Sequence, residues 1–194
     1  DLSGIEPGWE QFMAEQVRGC RARHQRLGLP PKFLDGLDDL LADAAALVAL
    51  THRFLEKMRE RKSGTIINVS STAGFQAIPF MATYAATKAF VTSFSEAIAE
   101  ENRPYGITVT AVCPGPTETN FFAASKAIPF SAKGMQTPEE VVEKALKAAK
   151  NKKPLVVSGI ANYIGSVLGS LAPDALVTRV IGDYLRPKLK GKKN

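Results

Sequence analysis

Two short apolar, β-branched runs, Thr65-Ile66-Ile67-Asn68-Val69 and Ile107-Thr108-Val109-Thr110-Ala111-Val112, flank one helix-length segment. Both read as strands covered on both faces. Gly64 precedes the first, and a Ser/Thr/Gly cluster from Ser70 to Gly74 follows it. Between the runs, Met81 to Glu101 reads as a helix, with Ala82, Ala85, Ala89, Phe90, Phe94, Ala97 and Ile98 on its apolar side. Arg103-Pro104-Tyr105-Gly106 ends it. Strand, helix and strand joined by short links make a βαβ unit, whose crossover is almost always right-handed, so the two strands are parallel neighbours. The fold class that follows is α/β. In an open α/β sheet a ligand sits beyond the carboxyl ends of the strands. Ser70, Ser71 and Cys113-Pro114-Gly115 lie at those ends.

Tyr84 and Lys88 are four residues apart and share one face of that helix. A phenol ordinarily titrates at about 10. To act as acid or base near neutral pH it needs a shift of about 3 units, roughly 4 kcal/mol in favour of phenolate. A nearby ammonium supplies part of that. A serine hydroxyl at the strand tip can hydrogen-bond the same carbonyl or alkoxide oxygen that Tyr84 protonates or deprotonates. Together these groups suit general acid–base catalysis with electrostatic help.

Ser71 stands thirteen residues before Tyr84, and Tyr84-x-x-x-Lys88 follows in order. Asn68-Val69-Ser70-Ser71 at the first strand end and Pro114-Gly115 with Thr117 and Thr119 after the second complete the set. This ordered set resembles the short-chain dehydrogenase/reductase family over residues 47 to 122, and on to about residue 187. The resemblance implies a Rossmann-like, doubly wound parallel sheet, and an oxidoreductase that interconverts a carbonyl and an alcohol by hydride transfer with NADP or NAD. It implies that Tyr84 is the acid/base, that Ser71 polarises the substrate oxygen, and that Lys88 lowers the Tyr84 pKa and binds the nicotinamide ribose. Pro114, Gly115 and Thr117 would border the nicotinamide, with Thr119 near its carboxamide. Ser70 reads as strand-end turn chemistry, and Asn68 as a structural residue tying adjacent backbone. The family's long helices, here those beginning at Asp38 and Met81, form subunit interfaces, so a homo-oligomer is expected.

The 194 residues are expected to form one domain. The net charge of +6 gathers at Arg186, Lys188, Lys190, Lys192 and Lys193, which reads as a solvated tail, with peripheral membrane contact as its alternative. No aromatic-interleaved basic groove suggests nucleic acid. Cys20 and Cys113 make no disulfide framework, so a cytoplasmic setting is the default. Cys113 reads as core, and His24 and His52 lack partners at metal-ligand spacing. The start, Asp1-Leu2-Ser3-Gly4-Ile5, is no signal peptide.

Residues 1 to 36 match the family poorly. Trp9 to Leu27 reads as a polar helix, and Gly28 to Gly36 as a loop. The family's glycine-rich TGxxxGxG turn, which brings a pyrophosphate to a helix N-terminus, has no counterpart in the sequence. The sheet is therefore expected to look truncated on its N-terminal side. Asp38 to Arg61 reads as a long helix closed by Gly64. In it Asp43 stands where the family usually carries asparagine, and an ionised Asp43 beside Lys88 would raise the Tyr84 pKa. Residues 37 to 187 form the dehydrogenase-like portion, and 188 to 194 a basic tail.

Pro116 to Gln136 reads as a loop rich in apolar residues, suited to covering a small hydrophobic ketone or alcohol. Thr137-Pro138-Glu139-Glu140 carries a capping box and starts a helix to Lys150. Leu155 to Ser158 reads as a third strand, and Ala161 to Leu171 and Pro173 to Leu185 as apolar helices. Residues 154 to 173 carry no charge, but prolines at both ends, three glycines and Asn162 argue against a membrane span. Gly165-x-x-x-Gly169 reads as close packing. Two functional classes remain: the oxidoreductase, and a non-catalytic remnant or interaction module of the same fold with an exposed sheet edge.

Overall fold

A computed structural model describes residues 37–119 and 135–190, the side chains of 37–43 and 189–190 excepted. The expected helix at Trp9 to Leu27, the loop at 28–36, most of the loop at 116–136 and the last residues of the basic tail lie outside the described residues. The chain forms two compact units, residues 1–61 and 62–194. The described part of the first is a single helix, α1 (Leu37–Glu60), with Lys57 and Arg59 in its last turn, where the helix dipole favours cations. Just beyond it, Lys62 and not Gly64 takes the left-handed backbone, with φ 53.

The second unit runs β1 (Gly64–Val69), a 3₁₀ turn (Thr72–Phe75), α2 (Ala82–Asn102), β2 (Ile107–Cys113), α3 (Pro138–Lys150), β3 (Leu155–Val157), α4 (Ile160–Leu171) and α5 (Asp174–Lys190). The three strands make one sheet in the order β1-β2-β3. Both pairings are parallel, with Gly64 opposite Ile107, Val69 opposite Val112 and Ala111 opposite Leu155. This is a Rossmann-like arrangement, with α2 and α3 as the crossover helices. Both pack on β2, which is buried at six of its seven positions, as a central strand covered on two faces should be.

Two local signals act as the sequence predicts. Gly106 takes φ 71 after the 3₁₀ turn Arg103–Tyr105 and turns the chain from α2 into β2. Thr137 caps α3 through a complete capping box with Glu140. The inner face of α2 differs from the expectation. Its buried residues include Thr87, Thr92, Ser95 and Asn102, while Phe90, placed on the apolar side from the sequence, is exposed. The reason is a polar seam between helix and sheet. Asn68 Nδ2 donates to Ser95 Oγ at 2.9 Å, rather than to adjacent backbone. Ser95 in turn donates to the Val91 carbonyl at 2.6 Å. Paired hydroxyls and amides satisfy one another here, so polar residues hold a position that apolar ones usually fill. At the other end of α2 an apolar cluster of Ala73, Ile78, Ala85 and fully buried Leu185 joins α2, the 3₁₀ turn and α5, with Met81, Tyr84 and Ile181 against it.

Candidate active site

The carboxyl ends of β1 and β2 and the first turns of α2 border a cavity of about 320 Å³. Consecutive residues of an extended chain point to opposite sides, and this divides the two serines after β1. Ser70 is buried. Its hydroxyl donates to the Lys88 carbonyl at 2.8 Å and pairs with Thr92 Oγ1 at 2.7 Å. Together with the Asn68–Ser95 bond, this fixes the rotation of α2 about its axis. Tyr84 and Lys88 continue the stripe that holds Thr92 and Ser95 toward the sheet, and both line the cavity.

Ser71 sits in extended backbone and caps the 3₁₀ turn, its Oγ accepting from the Ala73 amide at 3.1 Å. The Ser71 hydroxyl also hydrogen-bonds the Tyr84 phenol, which favours phenolate. Burial acts the other way and is the larger effect, so the Tyr84 pKa is held above the ordinary phenol value. Lys88 Nζ donates to the Val69 carbonyl at 3.2 Å and stands 5.8 Å from the Tyr84 ring centroid. The sequence suggested a net downward shift of the phenol beside this ammonium; the described site gives an upward one, because desolvation outweighs the neighbouring dipoles.

Pro114, Gly115, Thr117 and Thr119 all line the same cavity. The Thr72 amide donates to the Pro114 carbonyl at 2.9 Å, which ties the two strand-end segments together. Thr117 Oγ1 donates to the Gly115 carbonyl at 3.0 Å, and the Gln136 amide donates to the Pro116 carbonyl at 3.1 Å. A Cβ at Gly115 would collide with the Asn162 carboxamide, so that side chain would have to move to admit one. All seven residues singled out from the sequence, Ser71, Tyr84, Lys88, Pro114, Gly115, Thr117 and Thr119, thus line one space. Cys113 stays outside the chemistry: it is fully buried, and burial pushes its thiol pKa up. Asp43 belongs to α1, and its side chain lies outside the described residues. Among the described residues no cluster of His, Cys, Asp and Glu could hold a metal.

Sequence reading missed Gln76, Ile78 and Met81, which also line the cavity. The signal was present: the chain between Ser71 and Tyr84 must pass over the site that both residues face. It also missed Asn162, whose Nδ2 donates to the Ser158 carbonyl at 2.8 Å while its carboxamide walls Gly115.

A family model described as short chain dehydrogenase matches residues 42–128. The dehydrogenase/reductase SDR family member 7B of Xenopus laevis is 33% identical over 135 residues, covering 65% of this chain and 42% of that protein. A monensin polyketide synthase putative ketoacyl reductase of Streptomyces virginiae is 39% identical over 113 residues, covering 56% of this chain and 42% of that protein. The solved structure of a short-chain dehydrogenase from Sphingobium yanoikuyae in complex with NADPH superposes with a TM-score of 0.58 at 26% identity, covering 68% of this chain and 52% of that one. The chain therefore spans about two fifths of the length of the two curated relatives, 42% in each case. The family match runs through the segment that builds the cavity, from before β1 to beyond Thr119, and over that segment the chain is similar to the short-chain dehydrogenase/reductase family.

Proposed function

We propose that this chain carries the proton-handling part of a nicotinamide-dependent oxidoreductase that interconverts a hydrophobic ketone and an alcohol. The observation that carries the reading is the Tyr84 phenol, held in its neutral form by burial and hydrogen-bonded by Ser71 at the wall of a cavity. A neutral phenol can give its proton to a substrate oxygen, and the phenolate it leaves can take one back, so the group serves either direction of the reaction. Tyr84 gives its proton to the substrate oxygen as negative charge develops there. Ser71 hydrogen-bonds the same oxygen and orients it. Lys88, anchored on the Val69 carbonyl, places a positive charge one turn below and stabilises the phenolate left behind. Ala73, Ile78 and Met81 give the substrate side of the cavity its apolar character.

NADP or NAD, when bound, supplies the hydride. The residues present suit the nicotinamide end. Lys88 would offer an ammonium to a ribose hydroxyl, and Pro114, Gly115, Thr117 and Thr119, which line the cavity, would border the ring. The second reading is a non-catalytic interaction module of the same fold, which would bind neither nucleotide. The NADPH complex of the Sphingobium relative and the ketoacyl-reductase name of the Streptomyces one support the first reading.

Isothermal titration of the chain with NADPH and NADH separates the two. Micromolar binding that is weakened by Lys88→Ala supports the oxidoreductase. Absence of binding by either nucleotide rejects it for this chain. In a preparation that turns over a ketone, Tyr84→Phe is expected to lower kcat by about 10²-fold or more, as loss of an acid catalyst does; activity equal to the parent rejects the assignment.

A further inference from the structure

Helix α4 is inside out. Its inward side carries Asn162, Ser166 and Gly169, with Gly169 so close to Gln76 that a Cβ there would stand 2.7 Å from Oε1. Its outward side carries Ile160, Tyr163, Ile164, Val167, Leu168 and Leu171. That spacing lays the six residues along one continuous stripe. All six are exposed, Ile160 by 79% and Leu171 by 78%. A helix of a water-soluble protein sets its apolar stripe inward and its polar side outward. Here the arrangement is reversed, and contiguous exposed apolar surface on this scale marks an interaction site.

Helix α5 supplies the second observation, which identifies the occupant. Leu176, Val180 and Tyr184 are exposed at four-residue spacing, and Lys188 stands one turn further along the same line. The Lys188 ammonium lies 2.6 Å from the Tyr184 hydroxyl and 3.9 Å from its ring centroid. An aromatic ring with a polar tip beside a cation is the chemistry of a membrane–water interface. Residues 154 to 173 carry no charge at all. From Asp174 onward there are six basic residues, Arg179, Arg186, Lys188, Lys190, Lys192 and Lys193, against two acidic ones, Asp174 and Asp183. Asp183 is already paired with Arg186 at 2.8 Å. An uncharged apolar stripe that leads into a net positive segment complements a bilayer surface with anionic headgroups. A second copy of the chain fits less well. A two-fold interface places the same patch on both partners, and this one would bring two positive segments together.

We propose that α4 and α5 form a face that docks on an anionic lipid bilayer, with α4 lying in the interface plane and the α5 cations on the lipid phosphates. Among the described residues no helix is long and apolar enough to cross a membrane, so the contact is peripheral.

Sedimentation of the full chain with vesicles tests this. Vesicles of phosphatidylcholine with phosphatidylserine are expected to bind it, and vesicles of phosphatidylcholine alone to bind it more weakly. Ile164→Asp with Leu168→Asp should weaken binding more than about tenfold, since each buries a charge in place of apolar surface. Arg179→Gln and Lys188→Gln should each weaken it about fivefold, and added salt should mimic them. The substituted side chains are exposed, Lys188 alone being half-buried against Tyr184, so circular dichroism should be unchanged; Ile160→Ser with Leu171→Ser, at the two most exposed positions of α4, should then weaken binding as well. The proposal is overturned by vesicle binding that the α4 variants leave intact, or by no vesicle binding. It is equally overturned if light scattering shows a dimer that the α4 variants disperse and vesicles do not.

Discussion

Replacing Gly74 with alanine would place a methyl group 2.8 Å from the Lys88 carbonyl carbon and oxygen and 2.9 Å from the Ala89 nitrogen. Carbon atoms in ordinary contact stand about 3.5–4.0 Å apart, so the overlap with Lys88 is about 0.7 Å or more. The clash is with the backbone of α2, which has no rotamer to change. Relief requires moving the 3₁₀ turn off the helix, and Ser71 caps that turn, so the Ser71 hydroxyl would be drawn away from Tyr84. Overpacking of this kind costs about 1–3 kcal/mol. In a chain of this length each kcal/mol shifts Tm by about 2–4 °C, so a mid-range cost lowers it by about 4–8 °C. The control is the same chemical change at Gly165, inside α4, where an added Cβ meets nothing within 4 Å. There alanine should add about 0.5–1 kcal/mol through helix propensity. Both variants are compared with the parent by urea denaturation followed by far-ultraviolet circular dichroism, with equal slopes taken as the sign of an unchanged mechanism. If Gly74→Ala unfolds at the parent's urea concentration or above, the close approach of turn and helix is wrong. The placement of Ser71 against Tyr84 would fall with it.

Three further outcomes follow from the packing and the site. Leu185→Ala removes the fully buried side chain by which α5 holds the 3₁₀ turn and α2, and should cost about 2–5 kcal/mol in a denaturant titration; a cost near zero would mean that α5 does not pack on the 3₁₀ turn and α2. Phe80 takes φ 68 just before α2 with its side chain exposed, a backbone that costs a residue with a Cβ about 1–2 kcal/mol. Phe80→Gly should leave stability equal or raise it by up to about 1 kcal/mol, and a clear loss would show that the Phe80 ring packs in a way its exposure does not suggest. Tyr84 has its pKa raised by burial, so both folded and unfolded chains carry the phenol below about 10 and no stability changes there. Above that, the unfolded chain releases its proton first, and stability is lost as pH rises through the folded value. Tyr84→Phe should therefore show a shallower loss of stability in the alkaline range than the parent, and identical alkaline slopes would refute the raised pKa.

What the sequence made legible was whatever depends on short spacing along one element. Tyr84 and Lys88 share a helix face because four residues make one turn, and the described site has them on one wall of one cavity. The strand-end residues Ser71, Pro114 and Gly115 meet there because parallel neighbours end on the same edge of the sheet. The interior side of α2 was not legible. Hydrophobicity placed Phe90 inward, yet Asn68, Ser70, Thr92 and Ser95 satisfy one another and draw a different stripe toward the sheet. Such a match needs partners far apart in sequence, and single-residue hydrophobicity does not encode it. The outward stripe of α4 was hidden for the same reason: the spacing shows an amphipathic helix, but not which side its neighbours cover.

The adjacent serines show how one covalent link separates support from chemistry. Ser70 and Ser71 are the same residue type at the same strand end, and only the alternation of an extended chain tells them apart. Ser70 turns inward and spends its hydroxyl on the Lys88 carbonyl and on Thr92, which sets the helix. Ser71 turns to the cavity and meets the phenol that the helix presents. Ser70 thus acts on the site through Lys88, whose carbonyl it holds while the side chain of that residue reaches the Val69 carbonyl. The position of the ammonium is then fixed from both ends: by a strand carbonyl at its tip and by a strand-end hydroxyl at its root. A lysine held in that way keeps its charge at a set distance from the phenol, so in the proposed proton transfer Ser70 would tune the step assigned to Ser71 and Tyr84 without touching the reacting oxygen.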